Sequence, residues 1–355
     1  MRPTVIFVGG FLGAGKTTLI LAAARELKRC GKRCAAILND QSDALVDTQL
    51  AELHGVPSGE VTDGCFCCRL SDLTVQLEAM LIYAPEVIFA EPVGSCTDIS
   101  ATVLHPLMQD GAYRLAPFTV LVDPLRAEAL IQANADEDIA FLFRKQLQEA
   151  DLVCATKSDL YPKLSPVGVQ HVRQISAQSG QGVVAWLDEV LEGELSAQKD
   201  VLDIDYERYA QAEAALAWLN FRAIFEPRVA LSPAMLLGPW LDGIDRSLAE
   251  GGIRIVHLKA MVQSSTGYVK AAICANGQEP IVEGSLDASP SLRHEFTLNI
   301  RALGDPETIS TIVERELKQP DGQFRERRMR CFRPAPPRPE RRVSREEIPC
   351  VPSAL

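Results

Sequence analysis

The segment Gly10-Phe-Leu-Gly13-Ala-Gly15-Lys16-Thr17 follows an apolar run at residues 4–8 and opens an Ala- and Leu-rich stretch at 16–30. A G-x-x-x-x-G-K-[ST] string in that setting leaves little choice of architecture. Its glycines let successive backbone N–H groups curl around a phosphate. A helix starting at Lys16 aims its positive end at the same point. The string therefore demands a strand, a tight loop and a helix in that order, which is how a parallel α/β sheet begins. Lys16 is expected to bridge the outer phosphates of a nucleotide. The Thr17 hydroxyl suits Mg2+, and Gly10, Gly13, Ala14, Gly15 and Thr18 would line the loop.

The rest of the N-terminal half has the same rhythm. Short apolar runs at 4–8, 33–38, 86–90, 118–122, 152–155 and 172–177 alternate with helical patterns at 16–30, 73–83 and 183–191. Continuous rather than alternating apolar runs suit strands buried on both faces. The expected fold is α/β: a P-loop NTPase with a mainly parallel, doubly wound sheet, followed by a small α+β domain. The expected boundaries are 1–200 for the first domain, 201–219 for a connecting helix, and 220–319 for the second domain. Within the latter, strands are expected at 220–225, 253–262, 267–275 and 294–301, and helices at 233–250 and 306–318. Ser71 and Asp72 are expected to cap the helix at 73–83.

The 355 residues carry a net charge of −11, which argues against a nucleic-acid binder. The charge is uneven. Residues 320–355 hold nine Arg against five acids and the string RPAPPRPERR. This tail is expected to be extended and poorly ordered. No apolar run reaches the roughly 18 residues of a membrane span. The opening residues do not read as a secretion signal. A cytoplasmic location without membrane attachment is the expectation, and there ten cysteines are more often ligands or core residues than disulfides.

Glu91 ends an apolar run and precedes Pro92-Val93-Gly94. An acid there can hold a Mg2+-bound water or orient an attacking water, and the Gly94 N–H can approach a γ-phosphate. Lys16, Glu91 and Gly94 are thus the candidate catalytic set. After the run at 152–155 comes Thr156-Lys157-Ser158-Asp159. One carboxylate at Asp159 can accept both the N1–H and the 2-amino group of guanine, whereas adenine offers an acceptor at N1. The Lys157 stem can lie on the base. Ser176 and Ala177 open a second loop whose N–H would meet the guanine O6. GTP is therefore expected over ATP.

Cys65, Cys67 and Cys68 fall within GCFCC (64–68). Three thiolates select a soft or borderline cation, with Zn2+ or Co2+ the leading candidates. Asp40, Asp43, Asp47 and His54 are nearby candidates to complete the shell. The other cysteines, Cys96 among them, read as scattered.

Together GGFLGAGKTT (9–18), GCFCC (64–68), EPVG (91–94) and TKSD (156–159) resemble the CobW-type metallochaperone GTPases, relatives of the UreG and HypB proteins that assist nickel insertion. The resemblance covers residues 1–319. It implies GTP hydrolysis with Mg2+, a transferable metal at the Cys-x-Cys-Cys loop, and a client metalloenzyme or a corrinoid- or cobalamin-related protein. A homodimer is a further expectation. Family members commonly carry Asn-Glu…Glu after the second strand, where this chain has Asn39-Asp40…Asp43. The resemblance thus carries a metal or Mg2+ role to Asp40 and Asp43, each one methylene shorter. GTPases usually have Asn where Thr156 stands, and this chain lacks the His-rich loop of many members. Ordering of the segment 39–47 by phosphate and Mg2+ would reshape the metal site. No Gln occupies an obvious water-positioning place, so slow intrinsic turnover is expected. Two other readings remain open: a P-loop kinase acting on a small molecule, and a nucleotide-gated docking protein that carries no metal.

Overall fold

The computed structural model describes residues 2–41, 46–132, 135–162, 172–193 and 201–347. The expectation for Asp43 lies outside the described residues. The chain divides into two units, one of residues 1–41, 50–210 and 337–355, the other of residues 42–49 and 211–336.

In the first unit the elements run β1 (Thr4–Gly10), α1 (Lys16–Arg29), β2 (Cys34–Asn39), α2 (Val46–Leu53, whose first four residues group with the second unit), β3 (Ser58–Val61), α3 (Leu70–Met80) and β4 (Val87–Glu91). They continue with α4 (His105–Asp110), β5 (Arg114–Leu115), β6 (Thr119–Val122), α5 (Pro124–Ile131), α6 (Glu137–Gln148), β7 (Leu152–Ala155), β8 (Arg173–Gln174), α7 (Val183–Glu192) and α8 (Tyr206–Ala214, whose last four residues group with the second unit). The sheet order is β3-β2-β4-β1-β6-β7-β8, with β5 paired to β1. Every pairing is parallel. β1 is buried along its whole length, as its unbroken apolar run requires. The chain builds outward from β1 to β2 and β3, returns to insert β4, then crosses to β6. Loops at the carboxyl ends of β1 and its two neighbours therefore converge where strand order reverses.

α3 starts at Leu70, so Ser71 lies inside the helix rather than capping it at 73. The cap comes from far along the chain. Glu340 accepts hydrogen bonds from the Ser71 N–H at 2.8 Å and the Ser71 hydroxyl at 2.9 Å. A carboxylate at a helix N-terminus meets both the unpaired N–H groups and the positive end of the dipole.

The second unit holds β9 (Leu216–Pro227), α9 (Pro233–Glu250), β10 (Arg254–Ser264), β11 (Gly267–Ile273), β12 (Ile281–Gly284), β13 (His294–Leu303), α10 (Pro306–Glu316) and β14 (Gly322–Phe332). Its antiparallel sheet runs β12-β11-β10-β13-β9-β14. Trp240 of α9 packs on Phe225, Phe296 and Phe324 with ring centroids 4.7–5.8 Å apart. Arg301 is buried, with its guanidinium 4.0 Å above the Trp218 ring and donating to the Asn220 side chain at 2.8 Å.

Three expectations are corrected here. The helix read over 201–219 ends at Ala214, and the strand expected at 220–225 begins four residues earlier at Leu216. The tail from 320 is not shapeless either, because residues 322–332 form β14 on the β9 edge. Its period is broken by a bulge between Arg325 and Arg328, where Glu326 takes φ 51°. Phe324 before the bulge and Met329 and Cys331 after it all face the core, while arginines fill the outward positions. The extra residue shifts the alternation, so composition hid an ordinary edge strand. Phe324→Ala is expected to destabilise the protein by about 2 kcal/mol, less than a fully buried Phe would cost. An unchanged urea midpoint would show that β14 is only draped on the sheet.

Candidate nucleotide and metal site

β1 delivers the phosphate-loop sequence and α1 receives it. Gly10 has φ +128°, and a Cβ there would lie 2.4 Å from the Leu121 carbonyl oxygen, so only glycine lets β1 end against β6 in this way. Gly15, at φ 91°, forms the N-cap of α1. The Lys16 ammonium donates to the Gly10 carbonyl at 3.0 Å and sits 3.9 Å from the Glu91 carboxylate. The Thr17 hydroxyl donates to the same carboxylate, 2.9 and 3.2 Å from its two oxygens. All three side chains are buried. An ammonium and a hydroxyl from the start of α1 and a carboxylate from the end of β4 thus converge beside the loop. Gly94 lies against the loop as well: a Cβ there would approach the Leu12 nitrogen to 3.1 Å.

The residues expected to contact a base also gather on one sheet edge. Thr156, Lys157 and Asp159 follow β7, while Ser176 and Ala177 follow its partner β8. Lys157 adopts φ 56° and pairs with Asp123 at 2.6 Å, and Asp123 caps α5 through the Leu125 N–H at 3.0 Å. Asp159 is exposed. The Thr156 hydroxyl donates to the Val122 carbonyl at 3.2 Å, tying β7 to β6. The Ser176 Oγ accepts from the Ser179 N–H at 3.1 Å and shapes the second loop.

The cysteine loop is organised by a residue whose role the sequence did not reveal. The Asn39 carboxamide, at the end of β2, donates to the carbonyls of Val61 at 2.9 Å and Gly64 at 2.7 Å. Its oxygen accepts from the Phe66 N–H at 2.8 Å. One buried side chain therefore satisfies three backbone groups and turns the chain so that the thiols point inward. Cys65 Sγ lies 2.8 Å from Cys67 Sγ and 3.5 Å from Cys68 Sγ, and Cys67 and Cys68 are 3.7 Å apart. Cys96, two residues beyond Gly94, brings a fourth sulfur to within 3.8 Å of Cys67. Hydrogen bonding among neighbouring thiols and burial hold Cys67 well above the ordinary thiol range, and contact with the Cys65 thiol, with burial, pushes Cys68 up to about 11. Thiols held up in this way release protons when a cation binds.

Among the described residues, Cys65, Cys67 and Cys68 are the group whose donor atoms come close enough to share one ion. Asp40 does not join them: its carboxylate accepts from its own neighbour, the Gln41 N–H, at 2.6 Å. Asp47 is held by Lys259 at 2.7 Å within the second unit.

Further residues act around the site without having stood out in the sequence. The Gln146 amide donates to the carbonyls of Gly94 at 3.0 Å and Cys96 at 2.9 Å, so one side chain fixes both ends of that loop. Glu149 accepts from the Thr97 hydroxyl at 3.0 Å and the Ser100 N–H at 3.2 Å. The Arg338 N–H donates to Cys68 Sγ at 3.1 Å, and the Glu340 N–H to the Cys67 carbonyl at 3.0 Å. Their only sequence signals were indirect: Asn39 closes an apolar strand, and Cys96 lies just past Glu91-Pro-Val-Gly94.

Residues 4–181 match the CobW/HypB/UreG nucleotide-binding domain, half of the chain. The chain belongs to this family. Among relatives, the zinc chaperone CobW of Sinorhizobium sp is 26% identical over 201 residues, covering 49% of this chain and 55% of that protein. The zinc chaperone YjiA of Escherichia coli K12 is 38% identical over 73 residues, covering 20% of this chain and 22% of that protein. The match thus spans about half of the first relative and a fifth of the second. HypB from Helicobacter pylori in complex with nickel is a structural neighbour at TM-score 0.40 and 16% identity, covering 56% of this chain and 92% of that one. Among the described residues no helix is long and apolar enough to cross a membrane.

Burial pushes Glu149 up to about 8 from 4.5, with the Asp98 carboxylate adding to the rise. A carboxyl whose folded pKa is raised stabilises most below its unfolded pKa and loses that contribution as pH climbs through the folded one. Stability is therefore expected to fall between about pH 4.5 and about pH 8 through this group. Glu149→Gln should flatten that fall, read as urea midpoints across the window. Parallel profiles for the two proteins would show that Glu149 does not titrate there.

Proposed function

We propose that this protein is a GTP-hydrolysing metallochaperone that takes up zinc or a similar cation at Cys65, Cys67 and Cys68 and hands it to a client protein. The observation that carries this reading is the convergence of three thiols in the same unit as a P-loop of the CobW/HypB/UreG family. The cation is cargo. Thiolates bind it strongly, and nucleotide turnover gives a means of changing that grip.

In this reading the loop N–H groups from Gly10 to Thr18 and the Lys16 ammonium hold the β- and γ-phosphates. Guanine is read by Asp159, with the Lys157 stem on its face and the backbone at Ser176 and Ala177 beside O6. The hard oxygen donors of Thr17 and Glu91, 2.9 Å apart, suit Mg2+, with Thr17 as its ligand. When bound, Mg2+ neutralises charge on the phosphate oxygens. Glu91 accepts a hydrogen bond from the attacking water, and the Gly94 N–H faces the γ-phosphate. A bond forms between the water oxygen and the γ-phosphorus, the bridging bond to the β-phosphate breaks, GDP leaves with the electron pair, and the water's proton passes to the released phosphate. In this reading turnover is slow until a client binds. The client is a metalloprotein or a corrinoid- or cobalamin-related protein.

Two variants separate the halves of the mechanism. Lys16→Ala should abolish GTP turnover while leaving zinc bound. Replacement of Cys65, Cys67 and Cys68 by Ser should abolish zinc binding while leaving GTP affinity intact. Zinc retained by the triple variant, or preferential turnover of ATP with phosphate passed to a small acceptor, overturns the reading. A third variant tests the loop scaffold: Asn39→Ala should weaken zinc by about 10–100-fold, as loss of an orienting partner does at metal centres. Competition titration against a chromophoric chelator reads this, and unchanged affinity would remove Asn39 from the metal site.

A further inference from the structure

We infer that Cys96 is a fourth metal ligand, converting the cysteine loop into a four-thiolate centre whose last donor rides on the loop that contacts the nucleotide. This rests on the metallochaperone reading and adds to it the donor that closes the shell and its link to nucleotide state.

The geometry comes first. A tetrahedral cation with metal–sulfur bonds of about 2.3 Å has sulfurs about 3.8 Å apart. Cys96 Sγ is 3.8 Å from Cys67 Sγ, the Cys67–Cys68 separation is 3.7 Å, and the Cys65–Cys68 separation is 3.5 Å. To admit an ion the Cys65–Cys67 pair, at 2.8 Å, must open, and Cys96, which touches Cys67 but lies outside the close group of Cys65, Cys67 and Cys68, must close on the other two sulfurs. Cys96 is buried, as are Cys65 and Cys67, so the site excludes water on that side. Uptake is balanced when four thiols release four protons to solvent and the divalent cation becomes a dianionic tetrathiolate centre. The Arg338 N–H already donates to Cys68 Sγ at 3.1 Å, a contact that strengthens once that sulfur is anionic.

The link to nucleotide follows from where Cys96 sits. The other three donors lie on the loop after β3, while Cys96 lies on the loop after β4. Glu91 at the end of β4 bonds Thr17, Gly94 touches Leu12 of the phosphate loop, and Gln146 ties the carbonyls of Gly94 and Cys96 together. A shift of Gly94 toward or away from a γ-phosphate therefore carries Cys96 with it. In one nucleotide state the cation has four thiolates. In the other it has three and an open position through which a client can take it.

Cobalt(II) serves as the spectroscopic probe in the full-length protein. With nucleotide held constant in the state of highest affinity, Cys96→Ser should lower the thiolate-to-cobalt charge-transfer intensity by about a quarter, as loss of one of four thiolates requires. Identical spectra would overturn the assignment. Sulfur count at the zinc edge in the unmutated protein, by X-ray absorption, gives a reading independent of how the variant folds. Four sulfurs with one nucleotide and three with the other support the inference. Three sulfurs in both states refute it while leaving the metallochaperone reading intact, and absence of any bound metal removes both.

Discussion

The hydrogen bond from the Thr17 hydroxyl to Glu91, at 2.9 Å, joins the two strands on which everything else hangs. Thr17 opens the helix that follows β1, and Glu91 closes β4, the parallel neighbour of β1. Parallel pairing forces both strands to end on the same edge of the sheet. The phosphate loop and the Glu91–Asp98 segment therefore leave the sheet side by side. That segment runs on to Cys96 and is held by Gln146 and Glu149 from the end of α6 and just beyond it. β2, on the other side of β4, ends at Asn39, which folds the cysteine loop. Three adjacent strands thus place the phosphate loop, the β4 loop and the thiols along one edge.

Much of this was legible in the sequence, for physical reasons. Strands buried on both faces need continuous apolar runs, so β1, β2, β4, β6 and β7 stand out. The phosphate loop has almost no freedom of composition, because Gly10 meets the Leu121 backbone and Gly15 needs its left-handed turn. Three cysteines in four residues similarly declare a shared purpose. β3 and β5 were missed because they are four and two residues long and carry few apolar side chains.

What could not be read depends on distance along the chain or on displaced alternation. Cys96 looked scattered because only the insertion of β4 beside β2 brings it to Cys67, 29 residues away. Asn39 looked like part of an acidic segment, yet its amide does the work of the loop and Asp40 bends back on itself. The Arg-rich tail looked unstructured because a bulge at Glu326 moves its apolar residues out of simple alternation. Beyond β14 the tail is anchored by specific polar contacts. Arg342 donates to the buried Asp98 carboxylate at 2.8 Å, Glu340 caps α3, and Val343 is buried with its N–H on Ala101. Excess positive charge there is therefore partly internal, matched to acids of the first unit.

If the nucleotide governs the metal, the two ligands must be thermodynamically linked, and the linkage has to show in either direction. The most direct measurement is the zinc dissociation constant of the unmutated protein, by chelator competition, with Mg2+ and either GDP or a non-hydrolysable GTP analogue. Coupling of the β4 loop to both sites predicts constants that differ by about 5–150-fold. Equal constants in the two nucleotide states would contradict it.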